Sequence, residues 1–171
     1  MGNTDKIDEL INCMSSCDKD AYTKKIQELG LTKEDFKEHI HFSDKKYIRT
    51  CITRNDEFEL ILLCWSKGQK TAIHNHDGNE CFVYALDGEF KEVGYALNKE
   101  TNEMKKQGFI ILKENELAYT KEDSTGFHTI ENINDGTSLS LHLYRNPIES
   151  CLVYNEEKQE LATKHLAYDF V

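Results

Sequence analysis

Proline is nearly missing from this 171-residue chain, which has one, and glycine is sparse at nine. That scarcity excludes collagen-like, proline-rich and long disordered stretches. Positive charge is also short: 21 Lys and Arg stand against 31 Asp and Glu, a net charge of −10. Neither nucleic acid nor an anionic membrane is expected as a partner for such a surface. No apolar run approaches the length of a membrane span. The segment Met1 to Ile7 has no signal-peptide core, and Lys6 stands where N-myristoylation wants Ser or Thr. Cysteine is present, at positions 13, 17, 51, 64, 81 and 151, but without a short-range pairing pattern. In a chain with no secretion signal, reduced thiols and a cytoplasmic location are expected.

At this length one domain spanning 1–171 is expected, able to bury roughly 70% of its unfolded surface. Residues 1–42 read as a helical region and 43–171 as a β-barrel, an α+β chain that is mainly β. Ile7, Leu10, Ile11 and Met14 recur at helical spacing behind Thr4, which is placed to cap them. A second helix is expected from about Ala21 to Leu29, stopped by Gly30. Thr32 begins a third, with Glu34 and Asp35 in its first turn. From Lys46 onward, short apolar runs alternate with turn residues. Strands are expected at 47–52, 58–65, 81–86, 90–97, 109–112, 117–120, 128–132, 139–144 and 151–154.

Two of these strands carry more information than the rest. Leu60 to Trp65 is apolar at each position, as in a central strand covered on both faces. Ser138 to Tyr144 alternates: Leu139, Leu141 and Leu143 share one face, and Ser138, Ser140, His142 and Tyr144 the other. A solvated strand face usually carries Lys, Glu and Thr. A Ser-His-Tyr row suits a hydrogen-bonded pocket, because each group can donate and accept.

The chemistry concentrates in Gly68-Gln-Lys-Thr-Ala-Ile-His74-Asn-His76, with His128 far downstream. Side chains at i and i+2 of a strand share a face, so His74 and His76 can offer two imidazoles to one ion and a distant strand the third. The full frame is Gly-x5-His-x-His-x4-Cys-x6-Gly, ending at Gly88, followed by His128-x3-Asn132. This resembles the two cupin motifs, in which a small β-barrel or jelly roll holds a metal through three histidines and often a glutamate. The glutamate position is Cys81 here. Glu80 is its neighbour, and a one-residue change of register would make it a fourth ligand. Three neutral imidazoles leave a ferrous ion its full +2 charge and open positions, which favours an anionic substrate.

From about Tyr47 to the C-terminus the resemblance narrows to the cysteine dioxygenase family. It is carried by Tyr47-Ile-Arg49, Leu62-Leu-Cys64-Trp65, His74-Asn-His76, Cys81-Phe82, Leu86-Asp-Gly88-Glu-Phe-Lys91-Glu92, Gly126-Phe-His128, Glu131-Asn132 and Ser138 to Tyr144. The resemblance implies non-haem Fe(II) held by His74, His76 and His128, a small thiol (L-cysteine) as substrate and O2 as co-substrate, in a protein expected to be a monomer. Arg49 matches the arginine that holds the substrate carboxylate, and Tyr47 the tyrosine that assists it. Cys81 and Tyr144 match a pair joined by a thioether in animal-type members. Ser140 and His142 match a relay behind Tyr144, and Trp65 a packing residue beside the site. Arg145-Asn146-Pro147 departs from the family's Ser-Pro-Pro with its cis peptide, and Arg145 is expected to add a cation near the pocket mouth. The alternatives are a sibling dioxygenase for a thiol such as 3-mercaptopropionate, a zinc or manganese cupin with non-oxidative chemistry, and a non-catalytic thiol sensor.

Overall fold

A computed structural model of the chain describes residues 3–15, 18–121 and 126–171; Met1, Gly2 and Cys17 lie outside the described residues. Helix α1 spans Asn3–Met14 and α2 spans Lys19–Leu29, followed by a 3₁₀ helix over Lys33–His39. α1 begins at Asn3, so Thr4 lies inside the helix rather than capping it. Asp18 caps α2, its carboxylate accepting from the Ala21 N–H at 2.9 Å. Gly30 closes that helix with a left-handed φ of 53°, a conformation glycine adopts without a Cβ penalty. At the third helix the Asp35 carboxylate accepts from both the Thr32 N–H (2.8 Å) and its hydroxyl (3.0 Å).

Ten strands follow: β1 Ile48–Arg54, β2 Phe58–Trp65, β3 Glu80–Asp87, β4 Phe90–Leu97, β5 Met104–Leu112, β6 Leu117–Thr120, β7 Phe127–Asn132, β8 Ser138–Arg145, β9 Ser150–Asn155 and β10 Glu160–His165. One antiparallel sheet runs β1-β2-β8-β3-β6, and a second runs β5-β4-β7. The segment around His74 extends the second layer. His74 bridges His128 of β7 on one side and Val153 of β9 on the other, and β9 pairs with β10. The His-x-His pair therefore lies on a bridging extended segment rather than in a regular strand.

Alternation in the central strands feeds two separate cores, one on each face of the sheet. Leu60, Leu62 and Cys64 of β2, Phe82 and Tyr84 of β3, and the leucines of β8 pack outward against Leu10, Tyr22, Ile26 and Phe36 of the helices. Ile61, Leu63 and Trp65, with Cys81, Val83 and Tyr144, point inward onto Phe90, Leu112 and Ile130 of the facing sheet. The helical cap thus supplies the second cover that the apolar Leu60–Trp65 run of β2 demands. Between the sheets, Gly88 takes φ 89°, and a Cβ there would stand 2.1 Å from the Ser138 hydroxyl oxygen. The turn from β3 into β4 admits no larger residue.

Two strand expectations fall short. β5 starts at Met104 instead of 109, because Lys105, Lys106 and Gln107 have no apolar alternation and are held in place by the β4 ladder. β10 was not expected: it is exposed throughout and exists through its pairing with β9. Reduced cysteines hold for Cys51, Cys64, Cys81 and Cys151, all free and buried. Cys13 is disulfide-bonded instead, since reasoning from cellular compartment is blind to local approach of two thiols.

Candidate metal centre

Strand pairing brings the three histidines together. The N–H of His74 donates to the His128 carbonyl at 3.0 Å, and the His128 N–H returns to the His74 carbonyl at 2.8 Å. Their rings and that of His76 converge, each offering one nitrogen, with the three atoms within 4.8 Å of one another. Nε2 of His76 and Nε2 of His128 stand 2.9 Å apart.

The other ring nitrogens decide what the inner ones can do. His74 donates from Nδ1 to the Ala72 carbonyl at 3.0 Å. Nδ1 of His128 lies 2.6 Å from a Glu92 carboxylate oxygen, the arrangement that holds the proton on Nδ1. Both Nε2 atoms are then left as lone pairs aimed at the centre, the usual preparation of histidine for a metal. Burial, and then the His128 ring, push the His74 pKa down to about 3. Burial also holds His76 well below its ordinary value, helped by His128 and His74. Neutral imidazoles converging without a carboxylate among them fit a divalent metal of intermediate softness, with ligand positions to spare.

Beside the cluster lies a small cavity of about 30 Å³ walled by Tyr47, Arg49, His74, His76, His142 and Tyr144 among others. Arg49 enters from β1, opposite Leu63. Its Nε and Nη2 are buried and have no hydrogen-bond partner. Tyr47 stacks on Trp65 with ring centroids 4.5 Å apart. The Trp65 indole N–H donates to Ser140 Oγ at 2.9 Å, and Ser140 Oγ lies 2.9 Å from His142 Nε2. Indole is a donor only, so a serine that accepts from it satisfies its own proton by donating to His142. His142 is then the Nδ1–H tautomer. Burial, reinforced by Arg49, keeps its pKa well below the ordinary value.

Tyr144 lies with its ring centroid 6.4 Å from that of His142 and 5.5 Å from that of His76. Burial, with the Cys81 thiol beside it, holds the phenol well above its ordinary pKa, so the hydroxyl remains protonated. Cys81 is likewise pushed up by burial. Tyr47, Arg49, His74, His76, His142 and Tyr144 thus wall one cavity, while His128, Ser140, Cys81 and Trp65 adjoin these residues without lining it.

Two expectations are corrected, and the departure from the Ser-Pro-Pro motif has a structural counterpart. Glu80 is not a fourth ligand: it faces away from Cys81's side of β3, ion-pairs with Arg145 at 3.2 Å and accepts from Tyr119 at 2.5 Å. Arg145 does not wall the cavity, because strand alternation turns it to the face opposite Tyr144. No peptide among the described residues is cis. Asn146 makes the turn after β8 with a left-handed φ of 66°, its N–H donating to the Glu57 carbonyl at 2.7 Å.

Two participants were not identified from the sequence. Glu92 reaches His128 because Gly94, two residues on, is the residue paired with His128; diagonal neighbours across a ladder share a face. Lys164 walls the cavity from β10. Glu92 lies in a segment that carries the family resemblance, but its contact with His128, like the place of Lys164 in the wall, depends on strand register.

The family described as cysteine dioxygenase type I matches residues 12–157. Cysteine dioxygenase type 1 of Homo sapiens is 37% identical over 118 residues, covering 67% of this chain and 58% of that protein. The Danio rerio enzyme of the same name is 34% identical over 127 residues, covering 72% and 63%. The chain thus spans less than two thirds of these relatives' length. Among solved structures, an RmlC-like cupin protein from Desulfovibrio desulfuricans aligns with a TM-score of 0.50 at 17% identity, over 64% of this chain and 91% of that one. A Klebsiella pneumoniae protein with a double-stranded β-helix domain aligns with a TM-score of 0.51 at 16% identity, over 64% and 80%. At such identities the likeness shows the fold alone, the mainly-β cupin.

Proposed function

The chain belongs to the cysteine dioxygenase type I family, and from that premise we propose that it is an Fe(II)-dependent dioxygenase adding both atoms of O2 to the thiol of L-cysteine, giving cysteine sulfinic acid. The observation that carries this reading is Arg49: a guanidinium with two buried, unpartnered nitrogens in the same cavity as three converging histidines. A buried cation lacking a counter-ion is costly unless something anionic joins it. A substrate carboxylate fits it, because the planar fork of donors accepts both oxygens.

Fe(II), when held by His74, His76 and His128, supplies the electron chemistry that lets O2 react with a thiolate. The chain's own part is positional and electrostatic. Arg49 anchors the carboxylate, fixing where the thiol end points. Tyr47, seated on Trp65, lines the same wall and assists it. Tyr144 keeps its proton and presents a hydroxyl donor toward the reacting sulfur, while Ser140 and His142 stiffen the floor beneath it. The apolar residues Leu63, Ile130 and Ile148 in the cavity wall exclude competing water. Cys81 and Tyr144 are read as a pair that joins by a thioether. The reading places the protein in a reducing compartment, the cytoplasm, where ferrous iron and free thiols persist.

Protein loaded with iron under anaerobic conditions, then mixed with L-cysteine and oxygenated buffer, tests this directly. One O2 consumed per cysteine, with the sulfinate identified by mass spectrometry, is the expected result. No oxygen uptake above a metal-free control refutes the activity.

A further inference from the structure

β10 brings a lysine to the cavity. Lys164 stands opposite Cys151 in the β9–β10 ladder, and both wall the cavity with Arg49 and His74. No carboxylate joins them: apart from Arg49, Lys164 and the histidines, the wall is made of neutral side chains. In the groove adjoining it, Asp169 is ion-paired with Lys46 and accepts from the Arg49 backbone N–H at 3.0 Å, and neither the Arg49 guanidinium nor the Lys164 ammonium has an ion-pair partner in the cavity wall. The ammonium acts on what surrounds it. It lowers the Cys151 pKa against the larger effect of burial, ahead of Arg49.

This local sign is opposite to that of the molecule, whose net charge is −10. A cleft lined by one sign of charge focuses the field and raises the local concentration of the oppositely charged ligand. Small thiols differ in the relevant way. Cysteamine is a cation near neutral pH, L-cysteine a zwitterion and 3-mercaptopropionate an anion, and two fixed cations rank them in that ascending order.

Resting on the thiol-dioxygenase reading above, we propose that Lys164 is a specificity-determining residue which, together with Arg49, selects thiols bearing a carboxylate and rejects thiols bearing only an amine. Arg49 grips the carboxylate at depth; Lys164 attracts it at the entrance and disfavours a lone ammonium there. Lys164 is solvent-exposed, so its replacement leaves the packed layers intact.

The test is anaerobic calorimetric titration of iron-loaded protein with L-cysteine, 3-mercaptopropionate and cysteamine, comparing the unaltered chain with Lys164→Gln and Lys164→Arg. The two carboxylate thiols are expected to bind about three- to tenfold more weakly to Lys164→Gln and normally to Lys164→Arg, while cysteamine binds equally or more tightly. The carboxylate losses shrink as salt rises. Equal weakening of all three thiols in Lys164→Gln, or no change in any, overturns the assignment. Binding is read without O2, so a protein that selects thiols in this way yet oxidises none refutes the dioxygenase reading alone.

Discussion

Cys81 and Tyr144 stand directly opposite each other across antiparallel β3 and β8, both buried on the inward face. Their proximity raises the phenol's pKa and lowers the thiol's, in each case beside the larger effect of burial. The thiol's own proton is directed to the Phe82 carbonyl, 3.8 Å away. Opposed side chains of an antiparallel pair have Cβ atoms only about 5 Å apart, a span that a bond from sulfur to the phenol ring can close without moving either strand.

Incubation with iron, O2 and L-cysteine is therefore expected to lower the intact mass of the chain by that of two hydrogens. Cys81→Ser keeps its full mass under the same treatment. Unchanged mass in the unaltered protein after many turnovers rules out the link.

Glu92 holds the His128 ring without itself joining the three-histidine cluster. Glu92→Gln replaces the carboxylate on Nδ1 with a neutral amide and weakens the hold on ring orientation. Metal affinity is expected to fall about 10- to 100-fold, measured by competition with a chromogenic chelator. An unaltered affinity means that His128 is oriented by the β7 backbone alone.

Arg49 presents a contrast between stability and activity. Arg49→Gln removes charge-assisted bonds to the substrate, of about 1.5–3 kcal/mol, so KM for L-cysteine rises roughly tenfold or more. The same substitution removes two buried donors that have no partner in the ligand-free protein. Thermal stability without substrate is expected to hold or increase. A large drop in melting temperature alongside the KM change assigns Arg49 a structural role instead.

His142 makes stability depend on pH. In the folded protein burial and Arg49 hold its pKa well below the ordinary 6.5, whereas the unfolded chain binds a proton as pH falls through that value. Its contribution is complete above pH 6.5 and is lost on acidification, at about 1.4 kcal/mol per pH unit. His74 and His76, depressed in the same direction, steepen the loss in metal-free protein. Urea melts between about pH 7.5 and 5.5 are expected to show this decline, with a shallower slope in His142→Gln. A slope identical in the two proteins places the titration elsewhere.

Much of this was legible along the chain. The unbroken apolar run of β2 announced a strand covered on both faces, and the helices supply the outer cover. The Leu/polar alternation of β8 separated a packing face from a polar face, of which His142 and Tyr144 wall the cavity. The His74–His76 spacing, with His128 downstream, marked the histidine cluster. These features are local: side-chain period and residue type within one element determine which groups face the same way.

The tertiary structure decided what no single element can specify. Glu80 was the carboxylate nearest the motif in sequence, yet it turned outward to Arg145, while Glu92 reached His128 from another strand. Lys164 acquired its place through pairing of an exposed strand that has no hydrophobic pattern of its own. Inter-strand register is set by the summed pairing and packing of whole sheets, and a shift of one residue exchanges the faces of every side chain on a strand. The chain's own pattern thus determined the barrel, its buried faces and its histidines, and the assembled sheets determined which charges those histidines and their substrate meet.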